Sequence, residues 1–132
     1  MDANKKYASS TKIGLVTPYI GEVNDILIKY IESRGPWEVT NLVTFNLIMD
    51  KDVASVSVNS IKEAALDVGR MDNVDTVFIS CTNLRTATIV SEVEKIIGKP
   101  VTSSNMAMAW DMLRLAGVTM DLSKDFGTLF AK

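Results

Sequence analysis

The residues able to do chemistry in this chain are few, and they fall at the ends of apolar segments. Cys81 is the single cysteine; it follows the run Asp75 to Ser80 (DTVFIS) and opens the polar stretch Cys81-Thr82-Asn83-Leu84-Arg85. A free cysteine more often only fills space in a core. Between a strand end and a following helix, however, a thiol sits in the field of unpaired backbone N–H groups, which favours thiolate and makes it a candidate nucleophile or proton donor and acceptor. Thr82, Asn83 and Arg85 add donors for an anionic group. A second apolar run ends in Thr17-Pro18-Tyr19, and the Tyr19 phenol could donate to a carboxylate or an enolate-like oxygen, or could be an ordinary turn aromatic.

Absences narrow the chemistry further. The chain has no histidine, which excludes Ser-His and Cys-His pairs, imidazole bases and His-containing metal sites within it. One thiol cannot make an internal disulfide, a CxxC pair or a Cys-rich zinc site, so no metal is expected and the setting reads as cytoplasmic.

These residues need elements to hold them. Lys12 to Thr17 (KIGLVT) reads as a buried strand ended by Pro18, and Gly21 to Arg34 as a helix with Val23, Ile26, Leu27, Tyr30 and Ile31 at helical spacing. Trp37 to Phe45 is a second strand. A polar break through Asp50-Lys51-Asp52 precedes a helix from about Asn59, its plausible N-cap, to Arg70, with Ile61, Ala64, Ala65 and Val68 on one face. Asp75 to Ser80 is a third strand, followed by a turn and a helix Ala87 to Ile97 closed by Gly98. Lys99 to Thr102 is a short fourth strand, and Ser103 to Asn105 lead into a Met/Ala-rich helix from Met106 to Leu115.

Strands alternating with helices imply a parallel sheet, because parallel strands need a crossover between them. The expected fold is therefore a flavodoxin-like three-layer α/β fold with a four-stranded parallel sheet in the order 2-1-3-4. Ligands of such sheets bind outside the carboxyl ends of the strands where the order reverses, here between strands one and three. That places Tyr19 and Cys81 together. Asp50 and Asp52 fall near the same rim as loop charges, Met106, Met108, Trp110 and Met112 read as packing, and Glu92, Glu94 and Lys95 as a solvated helix face.

Length and composition agree with this picture. The 132 residues suit one domain, 47% are hydrophobic and 23% charged, and the net charge is −2. No Lys/Arg run offers a face for nucleic acid, and no apolar stretch approaches the ~20 residues of a membrane span. Residues 1–11 read as a leader or linker and 12–132 as the domain. A P-loop and a GxGxxG turn are absent, and the strand tips lack the acidic residues of a phospho-receiver.

Several segments together resemble a known family: GLVTPY at 14–19 with EVN at 22–24, ISCTNLR at 79–85, GKPVTSSNMAMAW at 98–110 and LRLAG at 113–117. They are similar to the C-terminal half of the maleate cis-trans isomerase and arylmalonate decarboxylase group, within the aspartate/glutamate racemase superfamily. The resemblance covers about residues 12–130. It implies two facing α/β domains with the active site between them, so this chain would need the missing N-terminal half or a second copy of itself, as a homodimer.

The resemblance also implies roles. Cys81 matches the second-domain cysteine that gives and takes a proton, Tyr19 the tyrosine that binds a substrate carboxylate, and Thr82 and Asn83 the donors around the same oxygens, with Pro18 beside them. The implied activity is cofactor-independent isomerisation or racemisation of small carboxylates or dicarboxylates such as maleate. The alternatives are an arylmalonate decarboxylase-like lyase and a non-catalytic half-domain that binds a carboxylate or a partner chain. Where the isomerases carry an asparagine before the second helix, this chain has Asp50, whose charge would repel a dianion.

Overall fold

A computed structural model describes residues 9–131. Four strands form one parallel sheet in the order β2-β1-β3-β4: β1 (Lys12–Thr17), β2 (Glu38–Thr44), β3 (Thr76–Ile79) and β4 (Val101–Ser103). The expected order 2-1-3-4 is the observed one. Central β1 is buried from Ile13 to Thr17, as a strand flanked on both sides must be, and edge strand β2 has no buried residue. Register sets Val16 against Ile79 and Ile79 against Ser103, so the carboxyl ends of β1, β3 and β4 finish level with one another.

Helices α3 (Val58–Gly69) and α4 (Val90–Ile97) close one face of the sheet. The core lies there, where Ile61, Ala65 and Val68 of α3 and Val93 of α4 meet Val16, Val77, Ile79 and Val101. Helix α1 (Gly21–Ser33) belongs to the opposite face, and of its thirteen residues only Asn24 is buried. The chain entering β1 is clamped, because the backbone N–H groups of Thr11 and Lys12 both donate to the Asp75 carboxylate, at 3.2 and 3.0 Å. Those bonds hold Asp75 below its usual pKa, so the clamp acts above the ordinary carboxylate range and is lost as pH falls through the lowered value. Most of the expected leader, residues 1–8, lies outside the described residues.

Several local expectations are corrected. The Asp50-Lys51-Asp52 stretch is not a break but opens a short helix, α2 (Asp50–Ala54), anchored by buried Val53. Ser57, not Asn59, caps α3, its side chain accepting from the Ser60 N–H at 3.0 Å. Replacing Ser57 with alanine is expected to cost about 1 kcal/mol, read by denaturant unfolding, whereas Asn59→Ala should fall within error. Glu94 is not solvated: it is buried, and its carboxylate accepts from Val101 N–H, Thr128 N–H and the Thr128 hydroxyl. It thereby fastens the tail, α6 (Ser123–Phe126) and a 3-10 turn at Thr128–Phe130 that buries Leu129 and Phe130. Gly127, at φ +93°, makes that docking possible, since a Cβ there would stand 2.7 Å from Val90.

Helix α5 (Ser104–Leu115) starts two residues earlier than expected, capped by Ser103. Its methionines divide: Met106 is buried in the core, but Met108 and Met112 are exposed, so the packing reading holds for the first and fails for the other two. No helix among the described residues is long and apolar enough to cross a membrane.

Candidate active site

Tyr19 and Cys81 stand at the adjacent tips of β1 and β3, as the topology requires. Beneath Tyr19 lies a polar scaffold. The buried Thr17 hydroxyl donates to Asn24 Oδ1 at 2.6 Å, the Asn24 amide donates to the Tyr19 carbonyl at 2.9 Å, and the Thr44 hydroxyl donates to the same carbonyl. Asn24 is therefore the link between α1 and the strand tip, which explains why the only buried residue of that helix is polar. Pro18 is buried and its carbonyl accepts from Leu47 N–H at 2.7 Å, so its contribution is the turn that presents Tyr19.

Cys81 is half-buried and has φ +133°, a conformation that L-residues rarely adopt. Three backbone bonds hold it. Ser80 N–H donates to Val16 O at 2.8 Å, Cys81 N–H to Ser104 Oγ at 3.3 Å and Leu84 N–H to Cys81 O at 3.3 Å. The expected turn follows the cysteine, but the helix after it begins at Val90 rather than Ala87. The helix end next to Cys81 is instead that of α5, through Ser104. Sequence reading placed Ser103 to Asn105 at the neighbouring tip without assigning them contacts; the level ends of β3 and β4 supply those contacts.

The following turn is pinned on both sides. Asn105 donates its amide to the carbonyls of Thr82 and Leu84, and Asn83 donates its own to the carbonyl of Asp50. Thr82 and Asn83 are exposed at the rim. Arg85, read as an anion donor, reaches away to the carbonyl of Val56 at 3.1 Å, which ties the turn to the α2–α3 connection.

Burial pushes the Tyr19 phenol above its ordinary value of 10.0, and a hydrogen bond and charge from neighbouring Cys81 act in the same direction. A hydrogen bond from Ser80 lowers it, and the Asp50 carboxylate adds a smaller upward push. Tyr19 thus stays a neutral donor at physiological pH. Any stability its phenol contributes persists to pH 10 and disappears as pH rises through the raised value. The phenolate absorbance lost in Tyr19→Phe is expected to titrate above pH 10, and Asp50→Asn should move that step down and tighten binding of dianions more than of monoanions. An unmoved step would show that Asp50 does not act on the site. Among the described residues no three Cys, Asp or Glu side chains come together to hold a metal.

The arylmalonate decarboxylase family model matches residues 3–130. The chain belongs to this family. It is 30% identical over 121 residues to arylmalonate decarboxylase of Bordetella bronchiseptica, covering 90% of this chain and 50% of that protein. A crystal structure of arylmalonate decarboxylase superposes with a TM-score of 0.83 at 25% identity, over 98% of this chain and 56% of that one. Maleate cis-trans isomerase of Nocardia farcinica, bound to TRIS, shares the fold, with a TM-score of 0.86 at 20% identity over 98% of this chain and 52% of that one. This family member therefore spans about half the length of the curated relative it matches.

Proposed function

We propose that this chain is one half of a cofactor-independent enzyme site for small carboxylates, with residues 12–132 equivalent to the C-terminal half of its relatives and residues 1–11 a leader or linker. Cys81 is its proton donor. The placing of the chain's one thiol and the Tyr19 phenol at the adjacent carboxyl ends of β3 and β1 is the observation that carries this reading. In a malonate-type substrate, the bond to one carboxyl group breaks, carbon dioxide leaves, and the electron pair remains as an enediolate. Tyr19 O–H and donors of the Thr82-Asn83 turn hold its oxygens where the charge develops. The Cys81 S–H bond then breaks, its proton forms the new C–H bond, and the thiolate recovers a proton from water.

One thiol suffices for decarboxylation followed by protonation. Isomerisation or racemisation of the kind expected from sequence uses two thiols, so here it requires a second copy of Cys81 or another chain. Identity favours the first reading, because the curated relative at 30% is a decarboxylase and the isomerase at 20% supports the fold only. The test is incubation of the chain with phenylmalonate in heavy water, with and without a relative's N-terminal half. Phenylacetate carrying one deuterium on carbon is expected. Turnover of maleate or aspartate instead would favour the isomerase or racemase reading. Binding of phenylacetate without turnover in either mixture would favour a non-catalytic half-domain.

A further inference from the structure

Three consecutive residues at the junction of β4 and α5 each hold a different part of the turn that follows β3. The Ser103 hydroxyl bonds to that of Thr86 at 2.7 Å, Ser104 Oγ accepts from Cys81 N–H, and the Asn105 amide donates to the carbonyls of Thr82 and Leu84 at 3.0 and 3.1 Å. Two of the three have further work nearby. Ser103 caps α5, accepting from Met106 N–H at 3.2 Å, and Ser104 supports the backbone of Cys81. Asn105 caps nothing in its own helix, and asparagine is a poorer helix former than alanine. Its amide carries two hydrogens, and both are directed at one stretch of backbone, so its effect is to orient two peptide planes.

What that orientation does follows from the planarity of the peptide group. The peptides of the turn are trans, so each C=O and the N–H of the next residue point in opposite directions. With the Thr82 and Leu84 carbonyls drawn toward α5, the N–H groups of Asn83 and Arg85 point away from it. Strand β3 has β4, and with it the start of α5, on one side and β1 on the other, and β1 leads to Tyr19. Neither N–H has an acceptor among the described residues. The side chains of the same two residues brace the turn instead, Asn83 on the Asp50 carbonyl at 2.9 Å and Arg85 on that of Val56 at 3.1 Å. The backbone therefore supplies the donors this turn can offer to an anion.

We infer that Asn105 is a positioning residue, which aims the N–H groups of Asn83 and Arg85 at a carboxylate oxygen held beside Tyr19. This rests on the reading above, in which the rim of Tyr19 and Cys81 takes a small carboxylate, and it adds the side chain that sets the turn. Donors fixed before the ligand arrives need no reorganisation as charge develops on the oxygen. Without the amide both peptide planes are free to rotate, and the turn then shows an anion its carbonyl oxygens as readily as its N–H groups. Asn105 acts through the turn and touches neither the thiol nor the reacting carbon, so its removal leaves the hydrogen bond of Ser104 to Cys81 in place.

Asn105→Leu keeps the size and charge of the side chain, removes both donors and places a better helix former in α5, so the circular dichroism spectrum should be retained. Phenylacetate titrated into the full chain, followed by the amide signals of Asn83 and Arg85, is expected to bind the variant ~10-fold or more weakly than the parent. Turnover of phenylmalonate with a relative's N-terminal half should fall on the order of 10²-fold in kcat. Alkylation of Cys81 by iodoacetamide should keep the parent rate. Asn105→Gln, which carries the same amide on a longer stem, should recover most of the affinity, as a space-filling role would not allow. If leucine prevents folding, Asn105→Ser, too short to reach either carbonyl, should show the same losses. Parent-level binding and turnover in the donor-less variant would overturn the role of Asn105 and leave the carboxylate reading standing. A loss that glutamine does not restore, or one accompanied by a changed alkylation rate, would overturn it too. A parent chain that neither binds phenylacetate nor turns over phenylmalonate would overturn the carboxylate reading itself, and this role with it.

Discussion

Cys81→Ser is expected to lower product formation by ~10²–10⁴-fold while leaving the melting temperature close to that of the parent chain, a loss in the range carried by a positioned general acid. Serine keeps the shape and the donor, so the turn from Cys81 to Leu84 and the bond to Ser104 should survive. What changes is acidity, since an aliphatic hydroxyl releases its proton far less readily than a thiol does. Tyr19→Phe should behave differently. It removes a donor to the developing oxygen charge but not the proton that forms the C–H bond, so its loss should be smaller and should not change the fate of the label from heavy water. Steady-state rates and deuterium incorporation, measured on both variants in the same assembly, separate the roles. A Cys81→Ser protein that still turns over at the parent rate would return the thiol to a packing role.

Why the placing of Tyr19 and Cys81 was legible in the sequence while parts of their frame were not follows from range. Central parallel strands are buried on both faces, so KIGLVT and DTVFIS stand out as apolar runs, and the order 2-1-3-4 then fixes which tips meet. Nothing beyond that order was needed to bring Tyr19 and Cys81 together. The frame depends on contacts between residues distant in sequence. Glu94 looks like a surface acid from its neighbours, but Val101 N–H and Thr128, arriving from 34 residues away, make it a buried acceptor. Asp50-Lys51-Asp52 has the composition of a loop, yet its first turn is held by Asn83, 33 residues on. The α5 stripe misled for a related reason: methionines at helical spacing signal burial, but the sequence does not say that the covering surface belongs to this chain's own fold.

The backbone at Cys81 gives the remaining prediction, and its sign is the reverse of the usual one. In ordinary helix or strand positions, glycine is less stabilising than alanine by roughly 0.5–1 kcal/mol, because it loses more freedom on folding. At φ +133° any Cβ is strained, at about 1–3 kcal/mol, and only glycine escapes. Cys81→Gly and Cys81→Ala lose the same sulfur contact with the core, so the difference between them isolates the strain. Cys81→Gly should therefore be the more stable of the two by about 1–2 kcal/mol, read from denaturant midpoints at equal slope. Both should be inactive. The conformation is imposed from either side, by Ser80 N–H on Val16 and by Cys81 N–H on Ser104, which fixes the thiol beside Tyr19. A residue whose side chain only filled space would gain nothing from being held there, whereas a proton donor must be aimed at one carbon. If alanine proved the more stable substitute, the turn would be relaxed and the aiming of Cys81 would have to come from Tyr19 and Ser104 alone.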